Sequence, residues 1–198
     1  MIRTDPRPLQ ARCFAQARDA VAAVRSEQMS LPTPCSEFDV RALLGHIVAV
    51  FARLAAAGRG EDASTLPVVV EGVADDGWLA AYDAGVAGVG AVWADDALLD
   101  REITLPFATL PGSTVVSIYA QEICIHGWDL AVAIGAPTAW DPEVAEALLP
   151  VAHAILPVEP RGAAIGNAFA EVVEVPETAG AYARLAGWLG RDAGRWGA

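Results

Sequence analysis

Lysine is absent from this chain, so all 13 of its basic residues are arginine. They are outnumbered by 25 acidic residues, and the formal net charge is −12. Proteins that bind nucleic acid or an anionic membrane surface need clustered positive charge to neutralise phosphate. The charge balance therefore argues against both as partners.

Cysteine is scarce, with three widely spaced residues and no CxxC pair. The sequence therefore predicts neither a disulfide framework nor a cysteine-based zinc site. The first eight residues lack the apolar core of a secretory signal, so the expected location is the cytoplasm. Histidine is equally rare. Any histidine ligand of a metal ion must therefore be His46, His126 or His153.

Residues 113 to 135 are predicted to form one helix that is apolar on nearly every side, with Gly135 and Pro137 as its stop signal. A helix of this kind is normally buried in a bundle or spans a membrane. Polar residues near its middle make a membrane span expensive. They are Glu122, His126 and Asp129.

The spacings of four and three residues place these polar side chains on one face of the helix. A buried carboxylate needs a compensating partner, because burial alone is costly or shifts its pKa until it is neutral. Two interpretations remain open. Glu122 and His126 ligate a metal ion, as carboxylate–histidine pairs do in metal-binding bundles, or they hydrogen-bond each other or an arginine elsewhere.

A third ligand is available on a second predicted helix, which runs from a capping box at Ser36 and Asp39 to about residue 57. His46 lies on the flank of its apolar stripe. With Glu122 and His126 it completes a set of two histidines and one carboxylate, which leaves a coordination position for water or substrate. His153 has no carboxylate at ligand spacing and is predicted to be structural or exposed.

The predicted fold is all-α. Four helices, at about residues 8–29, 36–57, 75–97 and 113–135, form a four-helix bundle with a long crossover over residues 99–112 before the fourth helix. Up to one short extended piece is expected in that crossover. A fifth helix starts at Asp141 and ends near Ile155. We expect residues 1–157 to form the bundle and residues 158–198 to form a short α/β-like extension that packs on it, with an alternating piece at 169–175 and a helix at 178–189.

Three segments resemble a known family. Residues 33–46, TPCSEFDVRALLGH, are similar to the opening motif of actinobacterial DinB-like metal-binding proteins. Glu122–Leu130 resembles the E-xxx-H-x-WDLA element of that family, and Leu189–Asp192 resembles its C-terminal GRD signature. The order of the segments matches over nearly the whole chain.

The characterised relatives that this resemblance implies are the mycothiol-dependent maleylpyruvate isomerases, whose N-terminal domain is a DinB-like bundle. It implies a divalent metal, most often zinc, held by His46, Glu122 and His126, which is also the set that the spacing predicts. Nickel, iron or manganese would suit the same ligands. Asp129, one turn after His126, is expected to orient a ligand imidazole or to be structural.

There is one departure from the isomerases, which carry a larger C-terminal domain with a catalytic arginine. No arginine here is assigned to that role among Arg161, Arg184, Arg191 and Arg195. The sequence therefore favours a metal-dependent S-transferase or isomerase-like enzyme that uses a mycothiol-type thiol on a small electrophile, as a monomer or homodimer. The alternatives are a non-catalytic metal- or ligand-binding bundle and a metal-dependent hydrolase.

Overall fold

The computed structural model describes residues 5–136, 140–161 and 169–196. Pro137, part of the predicted stop signal, lies outside these ranges. The described residues form seven α-helices and one β-hairpin, which confirms the all-α fold. The elements are α1 (Arg7–Ala23), α2 (Val40–Arg59), α3 (Trp78–Trp93), α4 (Ala97–Asp100), β1 (Glu102–Leu105), β2 (Ala108–Pro111), α5 (Gly112–Ile134), α6 (Pro142–Ile155) and α7 (Ala181–Trp188).

Helices α1, α2, α3 and α5 form the bundle, and α5 lies at its centre. α5 is buried along most of its length, as its all-round apolar character predicts. α1 runs parallel to it, since Ala17 lies against Gly127 and the Gln28 side-chain amide donates to the carbonyl of Ile134 at 3.2 Å. The absence of a side chain at Gly127 allows this close approach, because a Cβ there would lie 2.6 Å from the Cβ of Ala17.

Helix α2 begins one turn later than the predicted capping box. Asp39, not Ser36, is its N-cap, and the Asp39 carboxylate accepts from the backbone N–H of Ala42 at 2.8 Å. The preceding segment is instead held by Thr33, whose hydroxyl donates to the carbonyl of Phe38 at 2.7 Å. The helix ends at Gly60, which adopts a left-handed conformation with φ of 79°.

The segment between α2 and α3 runs back along α2 instead of turning tightly. The N–H of Val70 donates to the carbonyl of Gly45 at 3.0 Å, and Arg41 forms an ion pair with Asp75 at 2.6 Å. Residues 60–77 therefore return the chain to the start of α2. As a consequence α3 runs parallel to α2, and the Phe51 and Tyr82 rings lie 4.9 Å apart.

The connection before α5 contains more regular structure than predicted. In place of a single extended piece, it holds the short helix α4 and an antiparallel hairpin in which Thr104 pairs with Thr109. The connection returns to the end of the bundle where α3 stops, because a Cβ on Gly112 would lie 3.2 Å from the Trp93 ring. α5 is therefore antiparallel to α2 and α3.

The C-terminal residues contact α6 and α5. The indole N–H of Trp188 on α7 donates to the carbonyl of Ala152 on α6 at 3.1 Å. Residues 169–175 form neither a helix nor a strand, although the α/β-like expectation placed an alternating piece there, and the Val173 N–H donates to the carbonyl of Gly187 at 2.9 Å. The division at residue 157 stays a prediction.

One helix in the described ranges, α2, is long and apolar enough to cross a membrane by length and composition alone. In its most apolar window 72% of the residues are buried inside the fold. Its apolar character is accounted for by the core of the bundle, where Leu43, Leu44, Ile47 and Leu54 are almost fully buried.

Candidate metal centre

His46 lies on α2 with its ring fixed from two sides. Its Nδ1–H donates to the backbone carbonyl of Val68 at 2.8 Å, and the Phe38 ring stacks on it with centroids 4.9 Å apart. A carbonyl oxygen can only accept, so Nδ1 carries the proton. The other ring nitrogen, Nε2, lies 3.3 Å from Oε1 of Glu122 on α5, and in a neutral imidazole it is the nitrogen that carries the lone pair.

His126 lies one turn beyond Glu122 on α5 and is oriented in the same manner. Its Nδ1 lies 3.1 Å from Oδ2 of the fully buried Asp129. The imidazole donates and the carboxylate accepts, which leaves Nε2 of His126 as the ring nitrogen available to a ligand. The two histidine rings meet edge to face with centroids 4.9 Å apart.

Asp129 is held in turn by Arg191, which follows α7. Arg191 Nη2 donates to Asp129 Oδ2 at 2.9 Å, and its Nε donates to Oδ1 at 3.3 Å. Both side chains are buried. This arginine is the site residue that the sequence analysis did not assign, although the GRD signature marked its position. It links the C-terminal extension to His126 through Asp129.

The three predicted ligands come together within a small volume. Their ligand atoms all lie within 4.8 Å of one another. In a tetrahedral zinc site, bonds of about 2.0–2.2 Å place neighbouring ligand atoms about 3.3 Å apart. The separation of His46 Nε2 from Glu122 Oε1, 3.3 Å, has this value. The donor set and its spacing therefore fit a divalent ion.

A second group of potential ligands, Cys35, His126 and Asp129, is equally compact. It suits a cation less well, because the Asp129 carboxylate is already paired with the Arg191 guanidinium. Burial raises the pKa of the Cys35 thiol, so the thiol is not predisposed to ionise. His46, Glu122 and His126 are therefore the better candidate for a metal site.

The electrostatics of the cluster favour the protonation states that ligands need. Burial alone raises the pKa of Glu122, but its contacts with His46 and His126 outweigh that effect and hold the pKa below its usual value. Burial lowers the pKa of His126, and the nearby His46 lowers it further, against the opposing effect of Asp129. At neutral pH the cluster contains a carboxylate and a neutral imidazole, which are the metal-binding forms.

His153 does not take part in the cluster. It is exposed on α6, as the sequence predicts, and its ring lies against Trp188 with centroids 4.1 Å apart.

The fold and the cluster define a class of protein, an α-helical bundle with two buried histidines and a carboxylate gathered at one point. The chain belongs to the family described as the mycothiol maleylpyruvate isomerase N-terminal domain, whose model matches residues 11–131. This confirms the resemblance that the sequence motifs suggested.

The chain is also similar to other proteins in sequence and, in fold, to one solved structure. Uncharacterized proteins from two strains of Mycobacterium tuberculosis are each 32% identical to this chain over 180 residues, which cover 89% of this chain and 94% of theirs. The fold is also similar to the crystal structure of the mycothiol-dependent maleylpyruvate isomerase, with a TM-score of 0.55 and 14% identity. That match covers 73% of this chain and 65% of the isomerase chain.

Proposed function

We propose that this protein is a divalent-metal enzyme that uses a low-molecular-weight thiol of the mycothiol type to attack a small electrophile. The metal part of this proposal rests on one observation. His46 Nε2 and Glu122 Oε1 approach to 3.3 Å, and the proton of the imidazole is engaged at Nδ1 by Val68. In a neutral imidazole the lone pair of Nε2 would face a lone pair of Oε1, and the two would repel each other. Either a proton or a metal ion therefore lies between these two atoms.

The surroundings of the cluster favour a metal ion over a proton. His126 presents a second imidazole to the same point, and the pKa of its ring is lowered chiefly by burial. A structural Glu–His hydrogen bond needs no third donor, whereas a zinc ion is typically bound by three protein ligands when a fourth position is kept open. The residues that would hold the ion are His46, Glu122 and His126, with zinc as the expected metal.

The chemistry follows from that ligand set. A bound divalent ion lowers the pKa of a coordinated thiol and stabilises the thiolate, which is the nucleophilic form. The protein's own part is to fix the ligands. Val68 orients the His46 ring, while Asp129 and Arg191 orient the His126 ring. Fixed outer hydrogen bonds of this kind raise metal affinity and keep the geometry of the centre constant.

The thiol part of the proposal is supported by the family to which the chain belongs and by the fold of the solved isomerase. Isomerase activity itself is not proposed. Arg191, the arginine near the centre, is buried and paired with Asp129, so it is a positioning residue and does not reach a substrate. A transferase reaction, in which the thiolate adds to an electrophile, needs only the centre and the thiol.

The metal is tested first by elemental analysis of untagged protein purified without chelator. About one zinc or other divalent ion per chain is expected. His46→Ala, Glu122→Ala and His126→Ala are each expected to abolish stoichiometric binding, since each removes one of three ligands. His153→Ala is the matched control, because this exposed histidine lies away from the cluster. Full metal occupancy in any of the three variants removes that residue from the ligand set.

The thiol is tested on cobalt-substituted protein, in which a sulfur ligand changes the visible d–d spectrum. Titration with mycothiol is expected to perturb that spectrum and to saturate at one thiol per metal. A spectrum that no thiol perturbs would reject the thiol chemistry while leaving the metal site intact. The His126→Ala protein serves as the background, since it should bind too little cobalt to report anything.

A further inference from the structure

Helices α1 and α5 pack unusually closely, and each contributes a cysteine to the contact. A Cβ on Gly127 of α5 would lie 2.6 Å from the Cβ of Ala17 on α1. Cys13 precedes Ala17 by four residues and Cys124 precedes Gly127 by three, which is about one turn in each helix. Because the two helices are parallel, Cys13 and Cys124 meet in the neighbouring turn of the same contact.

The two cysteines form a buried thiol pair that the metal centre does not use. Both are free and fully buried. The pKa of the Cys13 thiol is raised, first by its side-chain contact with the Cys124 thiol and then by burial. The thiols are therefore direct neighbours, and Cys13 keeps its proton at neutral pH in the closed structure.

The helix packing brings this pair within reach of a covalent bond. In a disulfide the Cβ atoms lie about 3.5–4.5 Å apart and the sulfur atoms about 2.0 Å apart. The helices approach more closely than that at Ala17 and Gly127, where the corresponding distance is 2.6 Å. One turn away, the backbones are therefore close enough for a disulfide without rearrangement of the bundle.

The surroundings of the thiol pair determine how an oxidant reaches it. The Tyr182 hydroxyl on α7 lies 3.5 Å from Sγ of Cys124 and accepts a hydrogen bond from the Gln16 side-chain amide at 3.0 Å. An oxidant therefore reaches the pair only when this packing opens locally, which costs less free energy than global unfolding. We expect the pair to react more slowly than the partly exposed Cys35.

The position of Cys124 connects the thiol pair to the candidate ligands. Cys124 lies two residues after Glu122 and two residues before His126, and successive residues of a helix are about 100° apart. Both candidate ligands therefore lie on the side of α5 opposite to the thiol. On that side Glu122 contacts His46 of α2 at 3.3 Å. A bond that draws Cys124 towards α1 thus displaces α5 away from α2.

We propose that Cys13 and Cys124 are an oxidation site, at which hydrogen peroxide converts the thiol pair to a disulfide that weakens metal binding at the centre. Peroxide oxidises one thiol to a sulfenic acid and is reduced to water. The second thiol then attacks the sulfenic sulfur, and a second water leaves as the S–S bond forms. Two electrons thus pass from the thiols to one peroxide molecule. The effect on metal binding rests on the proposed function, whereas the disulfide rests on the helix packing.

The disulfide is tested by treating the full-length wild type with hydrogen peroxide, alkylating the remaining thiols under denaturing conditions, and mapping the peptides without reduction. We expect two peptides joined through Cys13 and Cys124, with a mass about 2 Da below their sum because two hydrogens are lost. Cys35→Ala should form the same cross-link, and Cys13→Ala should not. Wild type in which peroxide oxidises Cys35 but leaves both members of the pair as thiols overturns the proposal.

The effect on the centre is measured by competition with a zinc chelator before and after oxidation. Oxidised wild type is expected to bind zinc at least about tenfold more weakly, because ligands displaced by more than about 0.5 Å leave their productive geometry. Reduction with dithiothreitol, followed by desalting, should restore the affinity. Cys13→Ala is the matched control, since it retains Cys35 and all candidate ligands. An equal loss of affinity in this variant, or unchanged affinity in cross-linked wild type, overturns the effect on the centre.

Failure of the proposed function is distinguishable from failure of the oxidation site. If reduced wild type takes up no metal, the proposed function fails, and the peptide map alone decides the oxidation site. A cross-link between Cys13 and Cys124 in that metal-free protein supports the site, and the lack of a cross-link overturns it as well.

Discussion

At the scale of single residues, the most consequential contact is the buried pair of Asp129 and Arg191. It neutralises two charges that are out of contact with water and holds the carboxylate against His126. Removing one partner of a buried ion pair leaves the other charge uncompensated, whereas removing both is far less costly. Comparing single and double variants of Asp129 and Arg191 therefore measures how strongly the two side chains stabilise each other.

We expect Arg191→Gln to lower the free energy of unfolding by about 3–5 kcal/mol, because the buried Asp129 carboxylate loses its counter-charge. Asp129→Asn should cost a similar amount. The double variant Asp129→Asn/Arg191→Gln should be more stable than either single variant. Urea denaturation of the metal-free proteins gives the double-mutant cycle. Additive losses in the double variant would show that the two side chains are not coupled.

The protonation of His126 predicts how stability depends on pH. Its pKa is lowered in the folded protein, first by burial, so below the unfolded value of about 6.5 the unfolded chain binds a proton that the folded chain does not. The free energy of unfolding of the metal-free protein should then decrease as the pH falls below about 6.5, by up to about 1.4 kcal/mol per pH unit. Denaturation midpoints measured from pH 7.5 to 5.5 test this.

The matched control for that pH series is His126→Gln, which removes the titrating group and retains a polar side chain. The slope between pH 6.5 and 5.5 should decrease in this variant. An unchanged slope would assign the pH dependence to another group, since a lowered carboxyl pKa such as that of Asp129 has the same sign but acts at lower pH, below about 4.

At the scale of elements, the return of residues 60–77 along α2 positions the ring of the candidate ligand His46. Val68 reaches the His46 ring because the segment 60–77 lies directly on α2 at Gly45. A Cβ at Gly45 would lie 2.3 Å from the carbonyl oxygen of Val70, which is too close for any side chain. Gly45, which directly precedes the candidate ligand His46, therefore permits the hydrogen bond between His46 and Val68.

Gly45→Ala should displace the segment 60–77, weaken the hydrogen bond from His46 to Val68, and reduce metal affinity by about 10–100-fold, as the loss of hydrogen bonds to metal ligands commonly does. Competition with a metal chelator measures the change. Gly88→Ala is the matched control, because its Cβ would meet nothing within 4 Å. That exposed helical substitution should leave metal affinity unchanged and stabilise the fold by about 0.5–1 kcal/mol.

At the scale of the whole molecule, the C-terminal extension contributes Arg191 to a centre whose other residues all precede residue 130. The extension is therefore expected to be an integral part of the site and not a tail. The prediction that residues 1–157 form the bundle does not imply that they are stable alone, since truncation leaves Asp129 buried without a counter-charge.

A chain that ends at residue 157 is expected to unfold at lower denaturant concentration than the full chain and to bind metal more weakly. Introducing Asp129→Asn into that truncated chain should recover part of the lost stability, because it removes the uncompensated charge. Circular dichroism with urea, together with metal analysis, measures both effects. A truncated chain with full stability and affinity would show that the extension is dispensable to the centre.

The sequence alone determined the helices of the bundle and the pair Glu122 and His126, because helical periodicity and spacing are local properties. It also limited the choice of a third candidate ligand, since only three histidines are present. It placed the N-cap of α2 at Ser36, whereas the N-cap is Asp39. Both residue types are good N-caps, so the local sequence does not distinguish between them.

Only the tertiary structure decided what surrounds the ligands. The acceptor for His46 is a backbone carbonyl, which has no sequence signature, and its position depends on the path of a loop. The pairing of Asp129 with Arg191 joins residues 62 positions apart, and the direction of α3 depends on the path of residues 60–77. Long-range contacts of this kind arise from packing of the whole chain, so local patterns predict candidate ligands but not the groups that orient them.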